Sequence, residues 1–412
     1  MKTMDSVEAH RKHRGKIEIM PKFRIGSYED FSVWYTPGVA EACRAIAKNK
    51  EEAFELTNRC NTVAIVTDGT RVLGLGNIGP EAALPVMEGK ALLFKCLGGV
   101  DAVPLCLNGG IEDTARAIAP TFGGINLEDI ESPRCFHILE HLRESMDIPV
   151  WHDDQQGTAV AVAAGLVNAL KVTGRSARDA RIVLVGAGAA GIAIRRLLPQ
   201  MGIREGNIVM ADVRGIISEE REDLDGYVMR LCEGTNEEQL SGGLENAVRG
   251  ADVIIAASAP GAVKDEHIRN MNNDAVVFVL ANPVPEIEPE KAREAGAAVV
   301  ATGRSDFENQ VNNSLVFPAV FRGVLDVRAE KITDSMCVAA AEALAGSAGD
   351  RLSAHYIIPR MDEVEPFVRE ATAVGMEAIR EGIARLSYNY EELYSVCEER
   401  ILSARERCIS LK

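Results

Sequence analysis

Between Arg181 and Asp212 the chain carries a strand, a glycine loop, a helix and a second strand, an order that few folds accept. Arg181-Ile-Val-Leu-Val185 is an apolar run of strand length, Gly186-Ala-Gly188-Ala-Ala-Gly191 follows it, and Ile192-Ala-Ile-Arg-Arg-Leu-Leu-Pro199 reads as the helix. The next strand, Ile208-Val-Met-Ala, ends in Asp212. A strand that returns through a helix lies parallel to its neighbour, so this stretch is a βαβ unit. Its glycines let the backbone approach a pyrophosphate, while the helix start offers unpaired N–H groups and the positive end of the helix dipole. An acid about 20 residues further on can accept from a ribose 2′-hydroxyl and disfavours a 2′-phosphate. The six positions Gly186, Ala187, Gly188, Ala189, Ala190 and Gly191, with Asp212, therefore read as a dinucleotide site. NAD is the coenzyme expected, and Arg214 keeps NADP open.

The alternation continues through Ala251-Asp-Val-Ile-Ile-Ala-Ala257, Ala275-Val-Val-Phe-Val-Leu-Ala281 and Ala297-Ala-Val-Val-Ala-Thr302, as a parallel sheet requires. Polar residues at the carboxyl ends of such strands face the ligand crevice, which places Asn282 well. The amide-rich Asn309-Gln-Val-Asn312-Asn313-Ser314 is, on its own, as readily a capped turn as a binding loop. After Asp350 the chain reads as helical, over 364–386 and then 389–408.

The first half holds a second α/β region. Residues 62–66 read as a buried strand, Asp101-Ala-Val-Pro-Leu-Cys-Leu107 as another, and Met87-Glu-Gly-Lys90-Ala-Leu-Leu-Phe-Lys95 as a helix with Lys90 near its start. Gly74-Leu-Gly76-Asn-Ile-Gly79 also fits G-x-G-x-x-G, but Pro80 and Pro85 follow closely and no strand ends in an acid at the right distance. Its glycines are expected to allow close backbone packing instead. Residues 1–30 are polar and mixed, an arm or short helix suited to packing on a second subunit. Taken alone, Tyr35 is a core aromatic with a satisfied hydroxyl and Lys90 a solvated lysine.

Two pairs of adjacent acids stand out. Asp153-Asp154 closes the apolar run Ile148, Val150, Trp151 directly before a small-residue helix, and Glu128-Asp129 sits in Phe122-Gly-Gly-Ile-Asn-Leu-Glu-Asp-Ile130. An isolated Asp-Asp is usually a solvated turn with a helix cap. Four carboxylates in two half-buried places repel one another unless a cation lies among them, and all-oxygen ligation favours Mg²⁺ or Mn²⁺. The same region contains His137-Ile-Leu-Glu140-His141, a match to a zinc-peptidase pattern, with no third ligand evident. It is read as two histidines one turn apart on an ordinary helix.

Composition narrows the partners. At 412 residues and 47% hydrophobic content there is material for two or three packed domains. A net charge of −16 without a basic run argues against nucleic acid and anionic membranes, leaving small metabolites. No apolar run reaches the roughly 18 residues of a bilayer span, and the start lacks a signal-peptide core, so a cytoplasmic protein is expected. Nine scattered cysteines, at 43, 60, 96, 106, 135, 232, 337, 397 and 408, with no Cys-x-x-Cys pair, are expected to be reduced and mostly packing residues.

Beyond spacing, the chain resembles the malic enzyme family, in particular its short prokaryotic type. The resemblance runs from about residue 12 to about residue 386. It rests on Tyr35-Thr-Pro-Gly-Val-Ala40, Gly74-Leu-Gly-Asn-Ile-Gly-Pro80, Pro85-Val-Met-Glu-Gly-Lys90 and Gly123-Gly-Ile-Asn-Leu-Glu-Asp129. Further along come His152-Asp-Asp-Gln-Gln-Gly-Thr158, Ala281-Asn-Pro-Val-Pro-Glu286, Thr302-Gly-Arg-Ser-Asp306 and Asn309-Gln-Val-Asn-Asn313. It implies oxidative decarboxylation of L-malate to pyruvate and CO₂ with a nicotinamide coenzyme and Mg²⁺ or Mn²⁺. It further implies Tyr35 as general acid, Lys90 as general base, and Asp153 as the carboxylate that orients the lysine. Glu128, Asp129 and Asp154 would hold the metal, and Arg71, Asn282 and Asn313 the malate carboxylates. These roles replace the plain readings of Tyr35, Lys90 and the 312–313 pair. Lys90 must be neutral to take a proton, and burial beside a dication is expected to depress its pKa.

His137 and Gln156 stand where a Glu and a His would be as readily expected, and residues from about 387, including Tyr388-Asn-Tyr390, exceed the usual end of short members. A long acyltransferase-like C-terminal domain is not expected. The expected organisation is a substrate and metal domain over 1–158, a Rossmann-like coenzyme domain over 159–345, and C-terminal helices over 346–412 that brace both or an oligomer interface. A homodimer or higher homo-oligomer is expected, with a neighbouring subunit as a possible contributor to the site. The rivals are a malolactic-type enzyme that returns the hydride to make lactate, and a silent nucleotide-binding protein.

Overall fold

The structure is a computed structural model that describes residues 5–410 except 219, 222, 225, 227 and 230–232; Cys232 lies outside the described residues. Two parallel sheets organise it. The first has the order β2-β1-β3-β4, with β1 Thr62–Thr67, β2 Asp101–Cys106, β3 Gly124–Leu127 and β4 Val150–His152. The second has the order β10-β9-β8-β5-β6-β7. Its strands are β5 Ile182–Val185, β6 Ile208–Asp212, β7 Gly215–Ile216, β8 Val253–Ala256, β9 Ala275–Val279 and β10 Ala297–Thr302, with only the short β7 antiparallel. Counted from β5, this is the 3-2-1-4-5-6 order of a doubly wound nucleotide fold, whose crevice opens between β5 and β8.

The strands are legible in composition. β1, β5, β8 and β9 are almost wholly apolar, Val- and Ile-rich runs buried along their length, as in sheets covered on both faces. The N-terminal segment holds α1 Ser6–His13, α2 Asp30–Trp34, α3 Val39–Lys48 and α4 Glu52–Leu56. Around the first sheet lie α5 Pro80–Gly98, α6 Ile111–Ile118 and α7 Arg134–Ser145. Helix α8 Thr158–Val172 links the sheets, and its small residues are almost all buried; α9 Ala189–Leu197 follows the glycine loop. The chain ends in α10 Phe317–Asp326, α11 Asp334–Gly346, α12 Glu365–Arg380 and α13 Tyr390–Ser410.

These last helices return to the first half. Phe317 and Phe321 of α10 pack on Phe94 of α5 at ring distances of 4.6 and 5.3 Å. Gly98 lets them close: a Cβ there would stand 2.4 Å from the Pro318 carbonyl oxygen. A buried Arg322–Asp326 pair on α10 is joined by Asn61 from the first half and Arg400 from α13. One apolar cluster accordingly runs from the first sheet through α8 to one face of the second.

Two local expectations change. The helix bearing Lys90 starts at Pro80, so Lys90 lies mid-helix rather than near its start. Proline at the first helical position loses no hydrogen bond, and Pro85 is accommodated one turn later. Between β4 and α8 the chain makes a π-helical turn, Asp153–Gly157, instead of entering α8 directly. His137 and His141 are exposed on α7, as an ordinary helix predicts. None of the helices among the described residues is long and apolar enough to cross a membrane.

Candidate active site

Strands β3 and β4 are neighbours in register, Leu127 beside His152, so the residues just past their ends meet. Glu128 and Asp129 leave β3; Asp153 and Asp154 leave β4. Ligand oxygens of Glu128, Asp129 and Asp154 lie within 4.8 Å of one another. The arrangement is held by the backbone: the Asp129 N–H donates to Asp154 Oδ2 at 2.9 Å, and Asp129 takes a left-handed conformation with φ of 54°. The Asn126 side-chain amide donates to Glu128 Oε2 at 2.9 Å.

Lys90 reaches this group from α5. Its Nζ pairs with Asp153, lies 3.1 Å from Glu128 Oε1, and stands 4.8 Å from the Phe317 ring centre. Asp153 is fully buried and accepts from the Trp151 indole N–H at 3.1 Å. The π turn controls the approach: a Cβ on Gly157 would fall 2.1 Å from Asp153 Oδ1 and 3.0 Å from Cβ of Asn313. Asn313 and Asp153 thus both border the space beside Gly157.

Burial and mutual repulsion raise Glu128, Asp129 and Asp153. Burial drives Glu128 well above the carboxylate range against the pull of Lys90, with Asp153, Asp154 and Asp129 adding to it. Asp129 is pushed up to about 8 by burial and then Asp154, and Asp153 is raised by burial against Lys90. The protein groups alone do not depress Lys90. Burial alone lowers it, but Asp153, Glu128 and Asp154 outweigh burial and hold the ammonium charged. The expected depression needs a positive charge that the protein groups do not provide. Orphaned polar atoms surround the acids: Asp129 Oδ2, Asn126 Oδ1 and both ring nitrogens of His152 are buried without a hydrogen-bond partner among the described residues. His152 Nδ1 is 3.7 Å from Asp154 Oδ2, and burial lowers its pKa.

The remaining expected residues fall into three groups. Arg71 borders the cluster: its N–H donates to the Asp129 carbonyl at 3.0 Å, and its side chain is exposed. Asn282 follows β9, with its amide 3.3 Å from the Gly303 carbonyl. A Cβ on Gly74 would stand 2.9 Å from the Asn282 carbonyl oxygen, so the Arg71 loop and the second sheet touch there. Gly74 thus shows the close packing expected of the first glycine run, whereas nothing lies within 4 Å of a Cβ on Gly76. Tyr35 is not brought in: it follows α2, is 70% exposed, and makes no hydrogen bond to Lys90 or the acids among the described residues.

The glycine loop is built from unequal glycines. Gly186 has φ of 117° and a Cβ there would meet the Ala257 carbonyl oxygen at 2.3 Å; a Cβ on Gly191 would meet the Gly186 carbonyl oxygen at 1.9 Å. At Gly188 nothing lies within 4 Å. The first and third close the strand–helix joint, and the second leaves room for a ligand beside the uncapped start of α9, which begins with Ala189 and Ala190 after Ala187. Asp212 ends β6 as expected, but its carboxylate accepts from both terminal nitrogens of Arg221 at 2.8 and 2.9 Å. Arg214 and Arg221 both pair with Asp223.

Sequence reading missed Asn126, Trp151, Phe317 and Arg221. The first two carried a signal, since residues two apart on a strand share a face and precede Glu128 and Asp153 by two. Phe317 and Arg221 meet their partners only through tertiary packing.

The comparisons with known proteins agree with one another. The family model described as malic enzyme, NAD binding domain, matches residues 155–379, and that described as malic enzyme, N-terminal domain, matches 14–115. The chain is 48% identical over 395 residues to a bifunctional malic/malolactic enzyme of Bacillus subtilis, covering 94% of this chain and 96% of that one. It is 50% identical over 378 residues to an NAD-dependent malic enzyme of Geobacillus stearothermophilus, covering 90% and 78%. Among solved structures, the malic enzyme of Entamoeba histolytica superposes with a TM-score of 0.95 at 44% identity, over 98% and 87% of the two chains. That of Pyrococcus horikoshii gives 0.91 at 47%, over 97% and 99%. A doubly wound sheet with an open glycine loop, set beside a buried lysine among four acids, thus coincides with similarity along nearly the whole length: the chain belongs to the malic enzyme family.

Proposed function

We propose that this protein oxidatively decarboxylates L-malate to pyruvate and CO₂ while reducing NAD, or NADP, in the presence of Mg²⁺ or Mn²⁺. The observation that carries this reading is Lys90, buried between Asp153 and Glu128 at the edge of the Glu128–Asp129–Asp154 cluster. The cluster fits a hard divalent cation: its donors are all oxygen, its acids are crowded, and Asp129 Oδ2 is buried with nothing to bond among the described residues. Gly188 fits a dinucleotide, because the space that a side chain would fill is open.

When bound, the cation supplies the charge that polarises the C2 oxygen of malate and offsets the acids that otherwise keep Lys90 protonated, and the coenzyme accepts the hydride. The chain's own residues do the rest. Arg71 can clamp one carboxylate bidentately, and Asn282 and Asn313 supply neutral amide contacts for the other. Lys90 Nζ takes the C2 hydroxyl proton, with Asp153, itself held by Trp151, fixing its direction. Once C2 is a carbonyl, CO₂ leaves from the far carboxylate and C3 needs a proton. Tyr35 supplies it and recovers it from Lys90, so the proton removed from oxygen ends on carbon and both groups return to their starting states.

The domain division at about 158 and 345 is part of the same proposal, as is a homodimer or higher assembly. Exposed Ile19, Tyr28, Val33 and Trp34 share with Tyr35 an N-terminal segment whose first three helices bury no residue, which supports a second copy covering this segment and a neighbouring Tyr35 completing the site. The test is absorbance at 340 nm with L-malate and Mn²⁺, NAD and NADP in parallel. A rise that needs malate and metal is expected. No rise from folded protein would sink the proposal. The bifunctional relative in Bacillus subtilis favours one second reading, malolactic conversion, which lactate in the reaction mix without net coenzyme reduction would support.

A further inference from the structure

Cys96 on α5 and Cys408 on α13 are 312 positions apart in sequence, yet their Sγ atoms are 2.8 Å apart. The two helices lie against each other without slack. A Cβ on Gly99, at the end of α5, would stand 2.7 Å from the Arg400 carbonyl oxygen and 3.5 Å from Cβ of Ala404. Cys408 is one turn beyond Ala404 on the same side of α13. Both thiols are partly exposed, whereas Cys135, Cys337 and Cys397 are buried. We propose that Cys96 and Cys408 are a modification site, forming a reversible disulfide that clamps α13 onto the helix carrying Lys90.

The oxidant is a low-molecular-weight disulfide. A Cys408 thiolate attacks one of its sulfurs, its S–S bond breaks, and one small thiol leaves. Cys96 then attacks the Cys408 sulfur of the mixed disulfide and expels the second small thiol. Two protein thiols are oxidised by two electrons, one external disulfide is reduced to two thiols, and the protein's two protons end on them. Burial and the neighbouring Cys408 push the Cys96 thiol up to about 12, so Cys96 is a poor first nucleophile and acts in the second step, where the mixed disulfide is held beside it. Closing so long a loop restrains the unfolded chain and stabilises the folded one.

The experiment treats the full-length enzyme with glutathione disulfide and maps tryptic peptides before and after dithiothreitol. Cleavage after Lys95, Arg116 and Arg407 isolates 96–116 and 408–412, and Cys106, which shares the first peptide, is replaced in a Cys106→Ser background. The expected product is a cross-linked pair two hydrogens lighter than its parts, lost on reduction and absent from Cys408→Ser and Cys96→Ser. The same oxidation raises Tm by several degrees in the parent and not in either variant, and both reduced variants keep the parental malate turnover. Recovery of Cys408 as a free thiol, or only as its glutathione adduct, from folded oxidised enzyme overturns the proposal. Equal Tm shifts in parent and variants do the same.

Discussion

At Lys90 the competition is between burial, which disfavours an ammonium, and three acids, which win. A lysine so placed works as a base only when positive charge arrives among the acids, so removing it should separate catalysis from cation binding. Lys90→Ala is expected to lower kcat by about 10²–10⁴-fold while Mn²⁺ binds at least as tightly, because a competing cation is gone from beside Glu128. Initial rates at saturating malate and a Mn²⁺ titration by calorimetry check both halves; a variant within tenfold of the parent would remove Lys90 from its role. Asp212 raises a different question. Its charge is compensated by Arg221, which with Arg214 could equally meet a 2′-phosphate. In Arg221→Ala the carboxylate is left bare, attractive to a ribose hydroxyl and repulsive to phosphate. The ratio of kcat/KM for NADP to that for NAD should fall at least about tenfold, roughly 1.4 kcal/mol, and equal losses with both coenzymes would show that the pair does not discriminate.

The loop after β9 carries Asn282 and is tied down by Glu286, which accepts from the N–H groups of Ser258 at 2.7 Å and Ala281 at 3.1 Å. Burial pushes this carboxyl up to about 7 against those hydrogen bonds. An acid raised on folding binds more protons folded than unfolded between its two pKa values. Its contribution is therefore complete below the unfolded value of 4.5 and is lost as pH rises through about 7. Between pH 5 and pH 8 the parent should lose about 2 kcal/mol more stability than Glu286→Gln, whose side chain does not titrate. Urea unfolding at the two pH values measures it, and parallel losses would mean that Glu286 is ionised throughout. Elements differed in how readable they were for physical reasons. β5, β6 and β9 announce themselves as apolar runs ending at glycine, Asp212 or Asn282, because a strand covered on both faces has nowhere to put polar residues. The turn at 153–157 has no such signal. Within it Asp153 pairs with Lys90 of α5, and a side chain at Gly157 would strike Asp153 and Asn313, contacts with residues far away in the chain. The start of α5 was missed because the helix was read only from Met87, although Pro80 is a favourable first helical residue. The acid pairs were legible because adjacent carboxylates beside apolar residues need a reason wherever they occur, whereas Arg221 reaches Asp212 from a loop whose sequence says nothing of it.

Across the whole molecule the feature that the single chain does not account for is its N-terminal face. Trp34 stacks on Phe23 at 3.9 Å, yet both remain exposed, and Tyr28 and Ile19 stand 85% and 97% open to solvent. Under the proposal that a second copy covers this face, the same patch occurs twice in a closed dimer and Tyr35 of each chain is presented to its partner. The arrangement makes a prediction that catalytic loss alone cannot mimic. Tyr35→Phe and Lys90→Ala are each expected to be nearly inactive as homodimers. Co-expressed, they form mixed dimers in which the Tyr35→Phe chain offers an intact Lys90 to the intact Tyr35 of its neighbour. One site per mixed dimer is then whole and the other doubly defective, so the purified mixed dimer should show about half of parental activity. If Tyr35 serves its own chain, every site in the mixed dimer lacks one of the two groups, and activity stays at the level of the separate variants. Sedimentation of the parent and purification of the mixed species through two different affinity tags ensure that the comparison is made on the dimer itself.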